Sequence, residues 1–497
     1  MKQFIKNTLV LLLILAMVLP ACKKGYLETN PSSSVSDQDV FKTTKNAWAA
    51  INGIHRSLYI QYNSRQDQGG QSKNMIDMDA MGEDLVFPTR GNGWFIASYQ
   101  WLDHRNENSS TDYFEFQFYY DIITNANMII ANIDNAEGSE EEKNAIKGQA
   151  YAYRAWSYFQ MIQLFGGRYQ KGASNDGPGL SLILAPTKDQ VPRSAVSEVY
   201  TQIVADLTDA ITGLSDAPAR PNASHINVNV AKGMRARVAL AMQDYPTAAK
   251  YASEAMEGLS LMNNAEYLEG FNDYTNKEWM WGSHQIQDQT TYFYSLFAYM
   301  SVNFNSSNIR GCPKCINSTL YNTISGTDIR KLIWDPTGKN TADFLIPPGG
   351  KRYKYMNRKF VAPAGSGSSI GDVPLMRVAE MYLIEAEALA RQGGKDAEAQ
   401  QILYELAVNR DPNYVLSTNT GQSLIDEIML QRRVELWGEG FRFQDLKRLN
   451  QPLDRTGANA DESVAGVMTV PAGDKLWQWL IPKSELNSNK NAVQNPL

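Results

Sequence analysis

Four groups of residues in this 497-residue chain have the types and spacing for covalent or metal chemistry. Gly367-Ser368-Ser369-Ile370-Gly371 fits the G-x-S-x-G form of a nucleophile elbow, which needs a strand before it and a histidine later in the chain. Here Ala362-Pro363-Ala364 precedes it and His55, His104, His225 and His284 all come earlier, so the segment reads as a glycine-serine loop. Cys312-Pro313-Lys314-Cys315 has redox spacing but lacks a second ligand pair for structural zinc, and a local disulfide in an oxidising compartment is expected. Asp77, Asp79, Glu83 and Asp84 concentrate carboxylates without the EF-hand spacing that calcium loops use, which predicts surface-turn or helix-cap residues. Glu380, Glu385 and Glu387 lie in an alanine-flanked helical run, where they are expected to pair with arginines or face solvent. No Walker loop and no H-E-x-x-H pair occurs, so neither catalysis, nor a cofactor, nor a metal is expected.

The aromatic residues carry the ligand signal. Trp94, Tyr99 and Trp101 stand with Phe95 beside Arg90 and Asn92, and Trp279, Trp281, Tyr292 and Tyr294 form a second group. Sugar rings present flat C–H faces that such rings can cover at low ordering entropy, while Asn, Arg and Asp bind hydroxyls. Both groups are candidate ligand contacts.

The elements that must position them are helices. From Ala231 to Ala241 small and apolar residues recur at helical spacing, Asp244-Tyr245-Pro246 breaks the run, and Ala248, Ala252, Ala255 and Met256 resume it. Pro246 suits the first turn of the second arm. The plan recurs where Ala388-Leu389-Ala390, Gly393-Gly394 and Ala397 follow one another. Small residues there let helix backbones approach, as in stacked tetratricopeptide hairpins. Further helices are predicted over 47–62, 113–134, 145–164, 196–214 and 424–438, with few strands. The fold class is mostly α: tetratricopeptide-like hairpins with long irregular ligand-binding loops, over 63–110 and 259–372, and little strand.

Composition and the amino terminus bound the rest. A net charge of −6 with no basic tract argues against nucleic acid. Lys2 and Lys6 precede an apolar run of about eleven residues, too short to span a bilayer. Ala21 leads into Cys22, resembling the lipobox at which a bacterial lipoprotein is cut and acylated. The expected organisation is a signal peptide over 1–21, an amino-terminal region over 22–230 and a carboxy-terminal region over 231–497, the last two packed as one globular unit.

Five ordered runs then resemble the SusD/RagB family of Bacteroidetes lipoproteins. They are Tyr26-Leu27-Glu28-Thr29-Asn30-Pro31; Tyr151-Ala152-Tyr153-Arg154-Ala155-Trp156 leading to Gly166-Gly167; Val191-Pro192-Arg193-Ser194; Arg377-Val378-Ala379-Glu380-Met381-Tyr382; and Arg432-Arg433-Val434-Glu435-Leu436 with Gly440-Phe441-Arg442-Phe443. The resemblance implies a non-catalytic outer-membrane lipoprotein that packs against a SusC-like TonB-dependent transporter and holds an oligosaccharide; a minority of such proteins serve peptides. Most of the matched residues should be architectural. Acyl chains on Cys22 would supply the anchor. The variant Cys22→Ser is therefore expected to move from the membrane to the soluble fraction in cells lacking the transporter, and membrane retention of the exported variant would contradict this.

Overall fold

The computed structural model describes residues 40–286, 293–363 and 365–497, so Cys22 and Tyr292 lie outside the described residues. In chain order the main helices are α1 (Thr44–Ser57), α2 (Gln71–Ala80), α3 (Ser110–Asn132), α4 (Glu140–Phe165), α5 (Val196–Ser215), α6 (Val228–Ala241), α7 (Tyr245–Met256), α8 (Val378–Ala390), α9 (Asp396–Arg410), α10 (Gly421–Glu435) and α11 (Arg442–Arg448). Helix α4 packs between α3 and α5, α6 pairs with α7, and α8 packs against α7, α9 and α10. The result is a continuous stack of antiparallel hairpins.

Local chemistry sets the ends of these helices. Thr43, Ser109, Ser139 and Asn227 accept backbone N–H groups at the starts of α1, α3, α4 and α6. Pro246 occupies the first turn of α7, and Ala248, Ala252 and Ala255 are fully buried. Gly393 and Gly394 take positive φ values of 75° and 72° to turn α8 into α9, a conformation that Cβ disfavours. Every helix predicted from periodicity is present, with ends shifted by a few residues.

The two long stretches expected to be ligand-holding loops are mostly interior structure. Met75, Phe87, Phe95, Tyr99, Trp279, Phe297, Trp334 and Phe360 build a second hydrophobic core there. A four-stranded antiparallel sheet crosses it in the order Leu85–Val86, Cys315–Ile316, Met356–Asn357, Trp334–Asp335. A separate ribbon pairs Trp279–Ser283 with Val373–Arg377. All ten residues of α2 are buried although most are polar. Most of their polar groups pair with one another and with α3: Lys73 pairs with Asp77 at 2.7 Å, Asn74 donates to Glu115 at 3.0 Å, and the Tyr119 hydroxyl donates to Gln71 at 2.9 Å. Apolar periodicity cannot reveal such a helix.

The carboxylates expected on the surface are likewise interior. Asp79 accepts the backbone N–H of Gly440 at 2.9 Å, Glu83 accepts from Arg442 and Asp84 from Arg433. They join the start of the second core to α10 and α11. Glu380 pairs with Arg237, and Glu387 with Arg391 and Arg448, as expected of that helix. Glu385 departs from the expectation: it is buried without an arginine, and burial pushes its carboxyl up to about 7. Cys312 and Cys315 are free and buried rather than bridged. Cys315 packs with Val86, Val302 and Met356, whereas Cys312 belongs to the second core and donates to the Thr89 carbonyl at 3.0 Å, so the two thiols serve different packing clusters.

The ribbon, α9 and α10 meet in a buried ionic cluster. Arg377 pairs with Glu278, with Glu435 at 3.0 Å and with Glu439 at 2.7 Å. Arg410 reaches Glu278 at 2.9 Å and Glu435 at 3.1 Å, and Arg330 joins Asp328 at 2.6 Å to Glu435. Lys359 closes the group by donating to Glu439 at 2.6 Å and to the carbonyls of Glu435 and Trp437. Removing one partner from such a cluster strands the others without water. Arg377→Met is accordingly expected to cost about 3–5 kcal/mol in urea unfolding followed by circular dichroism, and a loss below about 1 kcal/mol would show that the cluster does not hold the fold.

Candidate ligand-binding site

A surface pocket of about 290 Å³ lies where the loop after α1 meets the start of the second core. Trp94 and Asn92 line it together with Arg65, Asp67, Lys73, Asp103 and Thr111. Gly93 (φ 92°) and Phe95 (φ 63°) flank Trp94 with left-handed backbone. Phe95 turns inward against Tyr299, ring centroids 4.9 Å apart, while Trp94 stays half-buried at the rim.

The polar side of the pocket is preorganised. Arg65 donates two bonds to Asp67 at 3.0 and 2.9 Å, and its guanidinium stands 5.9 Å from the Trp94 ring centroid. Asp103 accepts from Thr111 at 2.9 Å. Asn92 donates to Ser307 at 3.2 Å, fixing its amide across the rim. Behind them Lys73 is buried, which alone would discharge it, but Asp77, Asp67 and Glu115 hold its ammonium above the usual lysine range. Burial and then the Asp77 charge push the Glu115 carboxyl up to about 8. The pocket therefore offers one aromatic face, donors from Arg65 and acceptors from Asp67 and Asp103, the mixture that hydroxyl-rich ligands need.

The loop that carries Arg65 and Asp67 depends on one glycine. Gly70 has φ 57°, and a Cβ there would stand 2.2 Å from the Leu58 carbonyl oxygen, so the strap folds back on α1 only with glycine. A Cβ on the neighbouring Gly69 would stand 1.8 Å from the Tyr294 carbonyl oxygen, which brings the half-buried Tyr294 to the same strap.

The other predicted contacts are corrected by burial. Trp101 is 3% exposed, donates its indole N–H to the Met81 carbonyl at 3.0 Å and packs edge-on against Trp477. Tyr99 is stacked on Phe87 in the second core. Trp279 and Trp281 lie in the buried ribbon, with Trp281 fully enclosed between Tyr153 and Trp156. These four rings are core, because the segments that look like loops are themselves interior. Arg90 is exposed but donates to the Ser463 carbonyl at 3.1 Å rather than lining the pocket. Arg65, Asp67, Asp103 and Thr111 were not singled out by sequence, since nothing in their local spacing marks a site.

Residues 259–497 match the family model described as the SusD family, and residues 26–240 match one described as starch-binding associating with outer membrane. The chain belongs to the SusD family. A SusD-like protein of Formosa agariphila is 23% identical over 92% of this chain and 94% of its own length. The starch-binding protein SusD of Bacteroides thetaiotaomicron is 34% identical over a shorter stretch, 25% of this chain and 21% of its own. The crystal structure of a SusD-like carbohydrate binding protein from Bacteroides vulgatus superposes with a TM-score of 0.79 at 26% identity, covering 91% of this chain and 98% of that one. The SusD-type helical fold is thus shared along nearly the whole length described.

Burial separates the two tryptophans of the first aromatic group. Trp101→Ala is expected to cost about 3–5 kcal/mol of stability, whereas Trp94→Ala should cost about 1 kcal/mol or less. Thermal unfolding of both variants checks this, and equal losses would mean that Trp94 is also structural.

Proposed function

We propose that this SusD-family protein is a lipid-anchored outer-membrane protein that captures an oligosaccharide at the Trp94 pocket and delivers it to a SusC-like TonB-dependent transporter, without catalysing a reaction. The observation that carries the reading is the pairing of a half-buried rim tryptophan with Arg65, Asp67 and Asp103 in one pocket. An aromatic face covers the apolar side of a sugar ring while the charged groups exchange hydrogen bonds with its hydroxyls. Membership of a family whose model is described as starch-binding and associating with the outer membrane supports both the ligand class and the location. The name of the Bacteroides vulgatus neighbour, a carbohydrate binding protein, points the same way. The resemblance of Arg377-Val378-Ala379-Glu380-Met381-Tyr382 and the other matched runs to the SusD/RagB family supports delivery to a transporter.

Isothermal titration against a panel of oligosaccharides tests the reading. Loss of a stacking platform is worth about 1–3 kcal/mol by analogy with bases on aromatic rings, so Trp94→Ala should weaken binding roughly five- to hundredfold. Undiminished affinity in the folded variant for a saccharide that the parent binds would remove the pocket from the function. Co-purification of the native protein with a TonB-dependent barrel is expected from the outer membrane, and its failure would count against delivery.

A further inference from the structure

A second cleft, of about 740 Å³, opens at the base of the strap that carries Arg65 and Asp67. Leu58 and Tyr59, at the base of that strap, line it, and Gln71 closes the strap by donating its N–H to the Leu58 carbonyl at 2.8 Å. Trp48, Asn52 and Arg56, spaced four residues apart, form one stripe of α1 along its wall. His225 and Ser224 face them from the loop before α6, and Ser283 and His284 from the ribbon. Three of the chain's four histidines, His55, His225 and His284, therefore line one cleft.

A hydrogen-bonded chain runs from inside the protein to the cleft wall. The Tyr153 hydroxyl meets His55 Nδ1, and the indole N–H of Trp281, which can only donate, goes to the Ser224 carbonyl at 3.2 Å. His55 Nε2 meets His225 Nδ1 at 3.2 Å, so the tyrosine and the two rings form one relay. Burial and the His225 charge hold His55 well below the usual histidine range, and burial and then Arg220 hold His225 at about 4, so the relay is neutral near pH 7. Asn222 uses its carbonyl oxygen to accept from the Ser224 N–H at 2.9 Å and from the Ser224 hydroxyl, so its free valences are the amide N–H groups. Ser283 is 5% exposed and its hydroxyl has no partner among the described residues. Arg56 is exposed and forms no ion pair among them. No aspartate or glutamate lines the cleft among the described residues.

The Trp94 pocket mixes donors with two carboxylate acceptors, whereas this cleft sets the Arg56 guanidinium and the Asn222 amide N–H groups beside Trp48 with no carboxylate in its lining among the described residues; the nearby Asp372 carboxylate is taken up by His284 Nδ1 at 2.9 Å. Neutral sugar hydroxyls need acceptors for their protons; a carboxylate or a sulfate ester needs only donors and positive charge. We infer that this cleft is a second subsite, one that takes the anionic substituent of a uronic-acid or sulfated saccharide whose chain runs across the strap from the Trp94 pocket. The inference rests on the glycan-capture reading above.

Titration calorimetry on the full chain with three length-matched probes, a neutral, a uronic-acid and a sulfated oligosaccharide, tests it. At least one acidic probe should bind more tightly than the neutral one, and salt should narrow the difference. Arg56→Gln, on an exposed face of α1, should weaken the acidic probe about tenfold or more while leaving any neutral binding unchanged, and Arg56→Lys should restore part of the loss. His225→Ala should act in the same direction. Trp94→Ala should weaken every probe that binds. Which acidic probe responds identifies the substituent as carboxylate or sulfate. Acidic probes that depend on Trp94 but bind Arg56→Gln and His225→Ala as they bind the parent would overturn the subsite and leave glycan capture standing. A neutral probe binding as tightly as both acidic ones would also overturn it. Absence of binding by all three probes would count against glycan capture itself, and the subsite would fall with it.

Discussion

The rest of the structure depends on the buried charge cluster at Arg377. Four cations, Arg330, Arg377, Arg410 and Lys359, meet four anions, Glu278, Asp328, Glu435 and Glu439, so the group is neutral as a whole. Burial would raise the carboxyl of Glu435, but Arg410, Arg377 and Arg330 hold it far below the usual range. A buried ion-pair network gives little net stability over an apolar core of the same volume, yet it tolerates few alternative arrangements because each displaced partner leaves a charge without solvent. Its members come from the end of α9, the end of α10, both strands' ends of the ribbon and the irregular segments around Asp328 and Lys359. The helical stack and the second core are thereby locked in one relative position.

The same device recurs on the amino-terminal side. Asp79 in the last turn of α2, with Glu83 and Asp84 just after it, binds the backbone or arginines of 433–442, so α2 is pinned to the carboxy-terminal helices through charge and backbone bonds as well as through Met75 and Ile76. The strap between α1 and α2 is then held at both ends. Arg65 and Asp67 along it and Tyr59 at its base inherit their positions from that pinning, so one strap contributes residues to two clefts of different chemistry.

The helical half was legible because its signal is local. Pro246, the alanine spacing of α7 and the Gly393-Gly394 turn each state a conformation that neighbouring residues can satisfy alone. The second core was not legible, for two physical reasons. Its helix α2 carries more polar than apolar residues and buries the polar ones by pairing, and its aromatic residues sit among glycine, asparagine and serine in the pattern of a surface loop. Tyr99 and Trp279 therefore looked like platforms when they are packing residues. Of the first aromatic group Trp94, Phe95 and Asn92 reach the pocket, and the charged residues that complete it, Arg65 and Asp67 from the strap with Lys73 and Asp103, are brought together by a tertiary arrangement that carries no sequence period.

Trp281 illustrates how a buried aromatic ring still governs a surface. It is wedged edge-on against Tyr153 and Trp156, centroid distances 5.9 and 5.4 Å, and its indole N–H reaches the Ser224 carbonyl at 3.2 Å. That bond ties the loop before α6 to the ribbon, and Arg220 reinforces it by donating to the carbonyls of His225 and Met280. The position of His225 against His55 is thus set by the ribbon, and the ribbon by Arg377 at its end. A change in the charge cluster would be felt first as a displacement of the ribbon and then as a shift of His225 against His55, so the packing that makes the fold rigid also sets the geometry of the histidine relay.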